Sequence, residues 1–125
     1  MKVCARDQKA LASHAKGRDY QSNAEVKHGL WLLAEQRCGR VKNWEYERSY
    51  DLIVEGKLVC RIWPDFTVWM PDGTKQVHEI KYPATESKVW AIKRKLFEIL
   101  YPEYRYREFI CGTEKRKWFI NLEDE

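Results

Sequence analysis

Apolar residues recur along the chain at two different periods, and the change between them divides it into predicted elements. Val26, Leu30, Leu33 and Ala34 return at helical spacing, with Gly39 just beyond as a stop. Ser22 and Glu25 stand three residues apart at the start, the capping-box spacing in which each side chain accepts from a free backbone donor. A helix is therefore predicted over 23–37, with those four apolar residues on its buried stripe. Upstream, DQKALASHAK reads as a shorter helix ended by Gly17.

From Trp44 the period is two. YDLIV and KLVCRIW flank Glu55-Gly56 and predict two strands joined by a tight turn. Phe66, Val68 and Met70 alternate with Asp65, Thr67 and Trp69, and Pro71-Asp72-Gly73-Thr74 has turn chemistry before a strand over 76–82. At least three consecutive antiparallel strands are expected. Beyond Pro83, Ser87 is placed to cap a helix ending at Leu100, with Val89, Ile92, Leu96 and Ile99 on its apolar stripe. Further strands are predicted at 104–110 and 118–122. The order α, β, β, β, α, β argues for an α/β fold with a mixed central sheet flanked by helices.

Composition narrows the class. The 125 residues suit one domain, 1–125, with a basic arm over 1–21, and no repeat or low-complexity linker marks a second unit. No apolar run approaches the roughly 18 residues of a membrane span. The N-terminus lacks the apolar stretch of a secretory signal, so a cytoplasmic location is expected. Cys4, Cys38, Cys60 and Cys111 form no CxxC pair, which argues against a zinc ribbon and for free thiols. The net charge is +4, and residues 1–24 supply +3 of it through Lys2, Arg6, Lys9, Lys16 and Arg18 against Asp7 and Asp19. That balance permits a nucleic-acid partner without demanding one.

Candidate chemistry lies in one predicted hairpin. Pro64-Asp65 opens its first strand and Glu79-Ile80-Lys81 closes its second. Side chains alternate along a strand, so Glu79 and Lys81 share a face that Ile80 does not. The turn between the strands sets the start of one opposite the end of the other, which places Asp65 beside Glu79 and Lys81. Two carboxylates and an amine are what phosphodiester hydrolysis with Mg²⁺ requires. The hard oxygens hold an ion that keeps several waters, and the amine orients the attacking water or offsets developing charge. A lone E-x-K triplet is more often the wet face of a strand. Its weight here comes from standing with Pro64-Asp65, the hairpin and both helices in one order. His78 points to the opposite face and is read as packed. Lys88, Lys93 and Lys95 could track phosphates, although a charge run on a helix is usually its solvated side.

In these residues the chain resembles the PD-(D/E)XK nuclease superfamily, whose motif is matched by Pro64, Asp65, Glu79 and Lys81. The longer series CGRVKNWEYERSYDL, PDFTVW, VHEIKY and AIKRKLFEILYP is similar to small phage-encoded nucleases of that superfamily, Holliday junction resolvases among them. The resemblance implies a restriction-endonuclease-like core and Mg²⁺ or Mn²⁺ held by Asp65 and Glu79, with Lys81 holding the nucleophilic water. It also implies Glu25, on the helix before the sheet, as a further carboxylate for metal or water; a purely capping role for Glu25 remains the alternative. The implied activity is a DNA endonuclease, most specifically a resolvase of four-way or other branched junctions, in the cytoplasm of a bacterial host. A resolvase must nick two strands symmetrically, so a homodimer is expected. A nickase, an exonuclease, a restriction-type nuclease or an inactive DNA-binding module are the other readings.

Overall fold

The computed structural model describes residues 3–81 and 88–110. Within them the chain runs α1 (Ala5–Ala15), α2 (Asn23–Arg37), β1 (Asn43–Tyr46), β2 (Tyr50–Val54), β3 (Lys57–Ile62), β4 (Phe66–Trp69), β5 (Lys75–Lys81), α3 (Lys88–Leu100) and β6 (Tyr104–Ile110). The strand predicted at 118–122, Ser87 as a cap and the last residue of the 76–82 strand lie outside the described residues.

Helix α2 occupies its predicted span, and Ser22 Oγ accepts from the Glu25 N–H at 3.2 Å. Its buried stripe is rotated from the predicted one. Ala24, His28, Gly29, Leu32 and Leu33 are buried, whereas Ala34 is exposed and Val26 and Leu30 are only partly covered. Gly29 gives the reason, since a Cβ there would stand 2.8 Å from Leu11 Cδ2 of α1 and 3.5 Å from Trp44 Cη2 of β1. The helix turns its smallest residue toward its neighbours so that they approach closely. The basic N-terminal segment forms the short helix expected before Gly17 and packs into the fold: Leu11 and Ala15 of α1 are core residues, and the His14 ring stacks on Trp44 with centroids 3.9 Å apart.

The main sheet has the order β1-β4-β5-β6, antiparallel except for the parallel β5–β6 pair. The expected run of three consecutive antiparallel strands does not form. Instead β2 and β3 make a separate two-stranded hairpin. Its turn residues Glu55 and Gly56 both have positive φ, 49° and 79°, the two-residue turn geometry that matches strand twist. Between β3 and β4 the chain passes Trp63-Pro64, where proline has no N–H for a ladder. Strand β4 then enters between β1 and β5 rather than beside β3.

Helices α1 and α2 cover the sheet face that carries Trp44, Tyr46, Phe66, Val68, Ile80 and Phe109. The other face sets Val77 and Tyr106 against Tyr50, Leu52 and Ile62 of the hairpin and Phe97 of α3. The result is a mixed α/β fold with a mixed sheet flanked by helices. Of the stripe predicted for α3 only Leu96 packs against this core; Val89, Ile92 and Ile99 are 62%, 68% and 72% exposed, while Phe97 is 1% exposed. Trp90, Phe97 and Tyr101 also recur at helical spacing, and their rings bury more area per residue than the aliphatic stripe would. Phe97 meets Tyr50 edge-on at 5.3 Å between centroids and packs with Tyr101 and Tyr104. Among the described residues no helix is long and apolar enough to cross a membrane.

Candidate active site

The β4–β5 pairing sets Phe66 opposite His78, so the residue before Phe66 meets the residue after His78. Those are Asp65 and Glu79. Asp65 is pinned from both sides, its Oδ2 accepting from the Ile80 N–H at 2.8 Å and its carbonyl from the Glu47 N–H at 2.9 Å. Its carboxyl is within hydrogen-bonding reach of both Glu79 and Glu25. Three acids predicted from separate elements therefore converge. Lys81 lies on the same strand face as Glu79, with its Nζ 3.6 Å from Glu108 Oε2 and 5.9 Å from the centre of the Trp90 ring.

Burial raises the Asp65 carboxyl to about 7, the Glu25 charge adding to the rise while bonds from Glu79 and the Ile80 amide oppose it. Burial first, then the Asp65 charge, pushes Glu79 well above the usual carboxylate range; Lys81 pulls it partly back. Glu79 keeps some of its surface open as a residue, but its carboxyl sits at the enclosed end. Each carboxylate opposes ionisation of the other, and the pair titrates as one unit.

Glu25 joins this pair from the first turn of α2. Its Oε1 accepts from the buried Tyr46 hydroxyl at 2.5 Å and from the Gln21 N–H at 3.1 Å, so the return half of the capping box goes to Gln21 and not to Ser22. The Ser22 hydroxyl supplies the backbone cap, and the Glu25 carboxylate is turned toward Asp65. Glu47, at φ 53°, stands close enough that burial and the Glu25 charge raise its carboxyl too.

Among the described residues no three acidic, imidazole or thiol groups are already spread as ligands around one point. Asp65 and Glu79 instead face each other directly. Their donor set is hard oxygen, which suits Mg²⁺ or Mn²⁺, and Mg²⁺ asks for only one or two carboxylates beyond its waters. The residues fit such an ion in the place of the shared proton.

His78 takes the opposite face and is 1% exposed. Its Nδ1 lies 2.9 Å from His28 Nε2 and its Nε2 2.8 Å from Gln76 Oε1, which also accepts from Arg107 at 3.0 Å. Lys88 and Lys95 are exposed on α3 and Lys93 is partly covered. Between them Arg94 turns inward to Glu108. Sequence reasoning passes over Tyr46, Tyr106 and Glu108, and it counts Arg94 with the lysines of α3 as a phosphate contact, whereas Arg94 faces Glu108. One signal was available: Glu108 stands in period two with Tyr104, Tyr106 and Ile110, a charge on an otherwise apolar strand face.

A family model described as Protein of unknown function (DUF1064) matches residues 6–117, a span that takes in all of α1 but Ala5 and every acid of the site. No curated protein and no solved structure gives a match.

Proposed function

The chain belongs to the family described as Protein of unknown function (DUF1064), which brings no activity with it, and from the site we propose a metal-dependent DNA endonuclease of the PD-(D/E)XK type. The observation that carries the reading is the convergence of Asp65, Glu79 and Glu25 at the end of the β4–β5 hairpin with Lys81 on the same face. A mixed sheet with helices on both faces is compatible with a restriction-endonuclease-like core.

In this reading Asp65 and Glu79 hold Mg²⁺ or Mn²⁺, with Glu25 serving the ion or its water from α2. A bound cation supplies positive charge against the phosphoryl oxygens as the phosphodiester is attacked. The Lys81 ammonium donates a hydrogen bond to the attacking water. Lys88, Lys93 and Lys95 meet flanking phosphates from α3, which covers the sheet face that bears Glu79 and Lys81. The substrate is branched DNA such as a four-way junction. Nicking two strands symmetrically with one site per chain calls for a two-fold homodimer.

One gel tests this, with a four-way junction, a flap, a plain duplex and single-stranded DNA incubated in Mg²⁺ or EDTA. Mg²⁺-dependent cutting that favours the junction is expected. Equal cutting of all four would remove the junction preference, and binding with no cutting in either Mg²⁺ or Mn²⁺ would leave a DNA-binding module.

A further inference from the structure

Strand β6 brings a carboxylate to the site that the motif does not contain. Glu108 lies opposite Glu79 in the parallel register, so both side chains leave the sheet on the same face. It is 8% exposed. A carboxylate buried that far costs several kcal/mol unless cations and donors surround it. Here they do. Glu108 Oε2 accepts from the Tyr106 hydroxyl at 2.8 Å, and Lys81 Nζ and Arg94 Nε stand 3.6 Å and 4.0 Å from the same oxygen. The Arg94 guanidinium lies over the Tyr106 ring at 5.5 Å, so α3 closes the cluster from above.

The lysine needs such a partner. An ammonium on a four-carbon stem is a point charge with no built-in direction. Glu79 is two residues away on the same face, and an untethered Lys81 would fold onto the acidic pair and compete with a cation for its oxygens. A second carboxylate on the neighbouring strand, itself fixed by a hydroxyl, sets up a competing attraction.

We propose that Glu108 is a positioning residue, its carboxylate holding the Lys81 ammonium beside the Asp65–Glu79 pair and aimed at the attacking water. The catalytic consequence rests on the nuclease reading; the tethering does not, and the test separates the two.

The first measurement needs no activity. The full-length protein is pulsed with acetic anhydride and acetylation of Lys81 is followed by mass spectrometry against the exposed Lys57. Glu108→Gln is expected to raise Lys81 labelling by about threefold or more, as expected for loss of an ion pair of moderate strength. Tyr106→Phe, which keeps the ring but removes the hydroxyl, moves it the same way and guards against a Glu108→Gln variant that folds poorly. Unchanged labelling in both variants overturns the proposal.

The second is single-turnover cleavage. Glu108→Gln is expected to slow it about tenfold or more without changing the DNA concentration for half-maximal rate. Added to Lys81→Ala it should slow nothing further, because the partner is already gone. A double variant slower by the full factor would mean that Glu108 acts independently of the lysine. A loss of Mn²⁺ affinity as large as that of Glu79→Gln would make Glu108 a ligand. Either result overturns the proposal. If the wild type cuts no DNA, the nuclease reading falls while the labelling still decides the tether.

Discussion

Asp65 and Glu79 face each other across the end of the β4–β5 hairpin closely enough to hold one proton between them. In the unfolded chain both acids are ionised above about pH 5. In the folded protein Asp65 keeps its proton to about 7 and Glu79 beyond the usual range.

The folded state thus binds more protons than the unfolded one between those limits, and metal-free stability falls as pH rises from 5 to 8. The slope approaches about 1.4 kcal/mol per pH unit for each retained proton. Denaturant melts in EDTA at both ends of that range measure it. Asp65→Asn flattens the slope and stabilises the metal-free protein at pH 8. Added Mn²⁺ raises the melting temperature of the wild type more at pH 8 than at pH 5.5.

In the nuclease reading the same two acids decide activity. Asp65→Asn or Glu79→Gln removes metal-binding charge at nearly constant shape, so cleavage is lost while DNA binding persists. Gel shift and cleavage on one labelled junction separate the two effects. Lys81→Ala is expected to be nearly as inactive with Mn²⁺ binding retained, and full-rate cutting would take the lysine out of the mechanism.

Glu25 and Ser22 divide the work at the start of α2, and substitutions should divide accordingly. Ser22→Ala removes the acceptor for the Glu25 amide and costs about 1 kcal/mol with little effect on rate. Glu25→Gln keeps an oxygen for Gln21 but loses the charge facing Asp65, so the rate drops by on the order of a hundredfold with a small change in melting temperature. Near wild-type turnover across a Mg²⁺ titration would return Glu25 to capping alone.

The buried His28–His78 pair carries the opposite pH sign. Burial, with the Arg107 charge beyond it, pushes His28 down to about 3; burial and then the His28 and Arg107 charges push His78 well below the ordinary range. Unfolded histidines take up protons below about pH 6.5 while these two do not, so stability falls as pH drops from there. Between pH 5 and 6.5 this slope opposes that of the acidic pair, and Asp65→Asn exposes it. Ring NMR signals of both histidines should stay in the neutral form from pH 8 to 5.

The first helix is core and not an appendage. Leu11 is 5% exposed and fits against Gly29, so Leu11→Ala should cost about 2–5 kcal/mol. Removing residues 1–16 should lower the melting temperature before it lowers DNA affinity, and a truncated chain of wild-type stability would contradict this packing.

What was legible in the sequence was local. The Ser22 cap, the Glu55-Gly56 turn and the alternation about Asp72-Gly73 each act within a few residues, so element positions and the meeting of Asp65 with Glu79 follow from spacing. Pairing across distance did not follow. Strand β4 joins β1 past an entire hairpin, and alternation says nothing about which strand a given strand will choose. The same limit hid Glu108, which reaches Lys81 through a parallel pairing that spans α3, and Tyr46, whose hydroxyl meets Glu25 only once α2 lies on the sheet. Apolar periodicity misjudged α3 because aliphatic and aromatic stripes coexist on it and the aromatic one won the interior.

The excursion through β2 and β3 separates chemistry from reach. The chain leaves the sheet after β1 and returns as β4, the partner of β1, so Asp65 is placed by the pairing of β4 with β1 and β5 and not by the tip of the hairpin. The base of the hairpin is committed, with Tyr50, Leu52 and Ile62 buried, but its tip is open, Ile53, Val54, Leu58 and Val59 being 40–57% exposed. Residues added or removed in pairs about Glu55-Gly56 would lengthen or shorten a finger without disturbing its register or the acids. Under the proposed function, variation in that finger would let related chains diverge in what they grip while keeping one reaction centre, and the finger offers a place to graft a tag or a recognition loop.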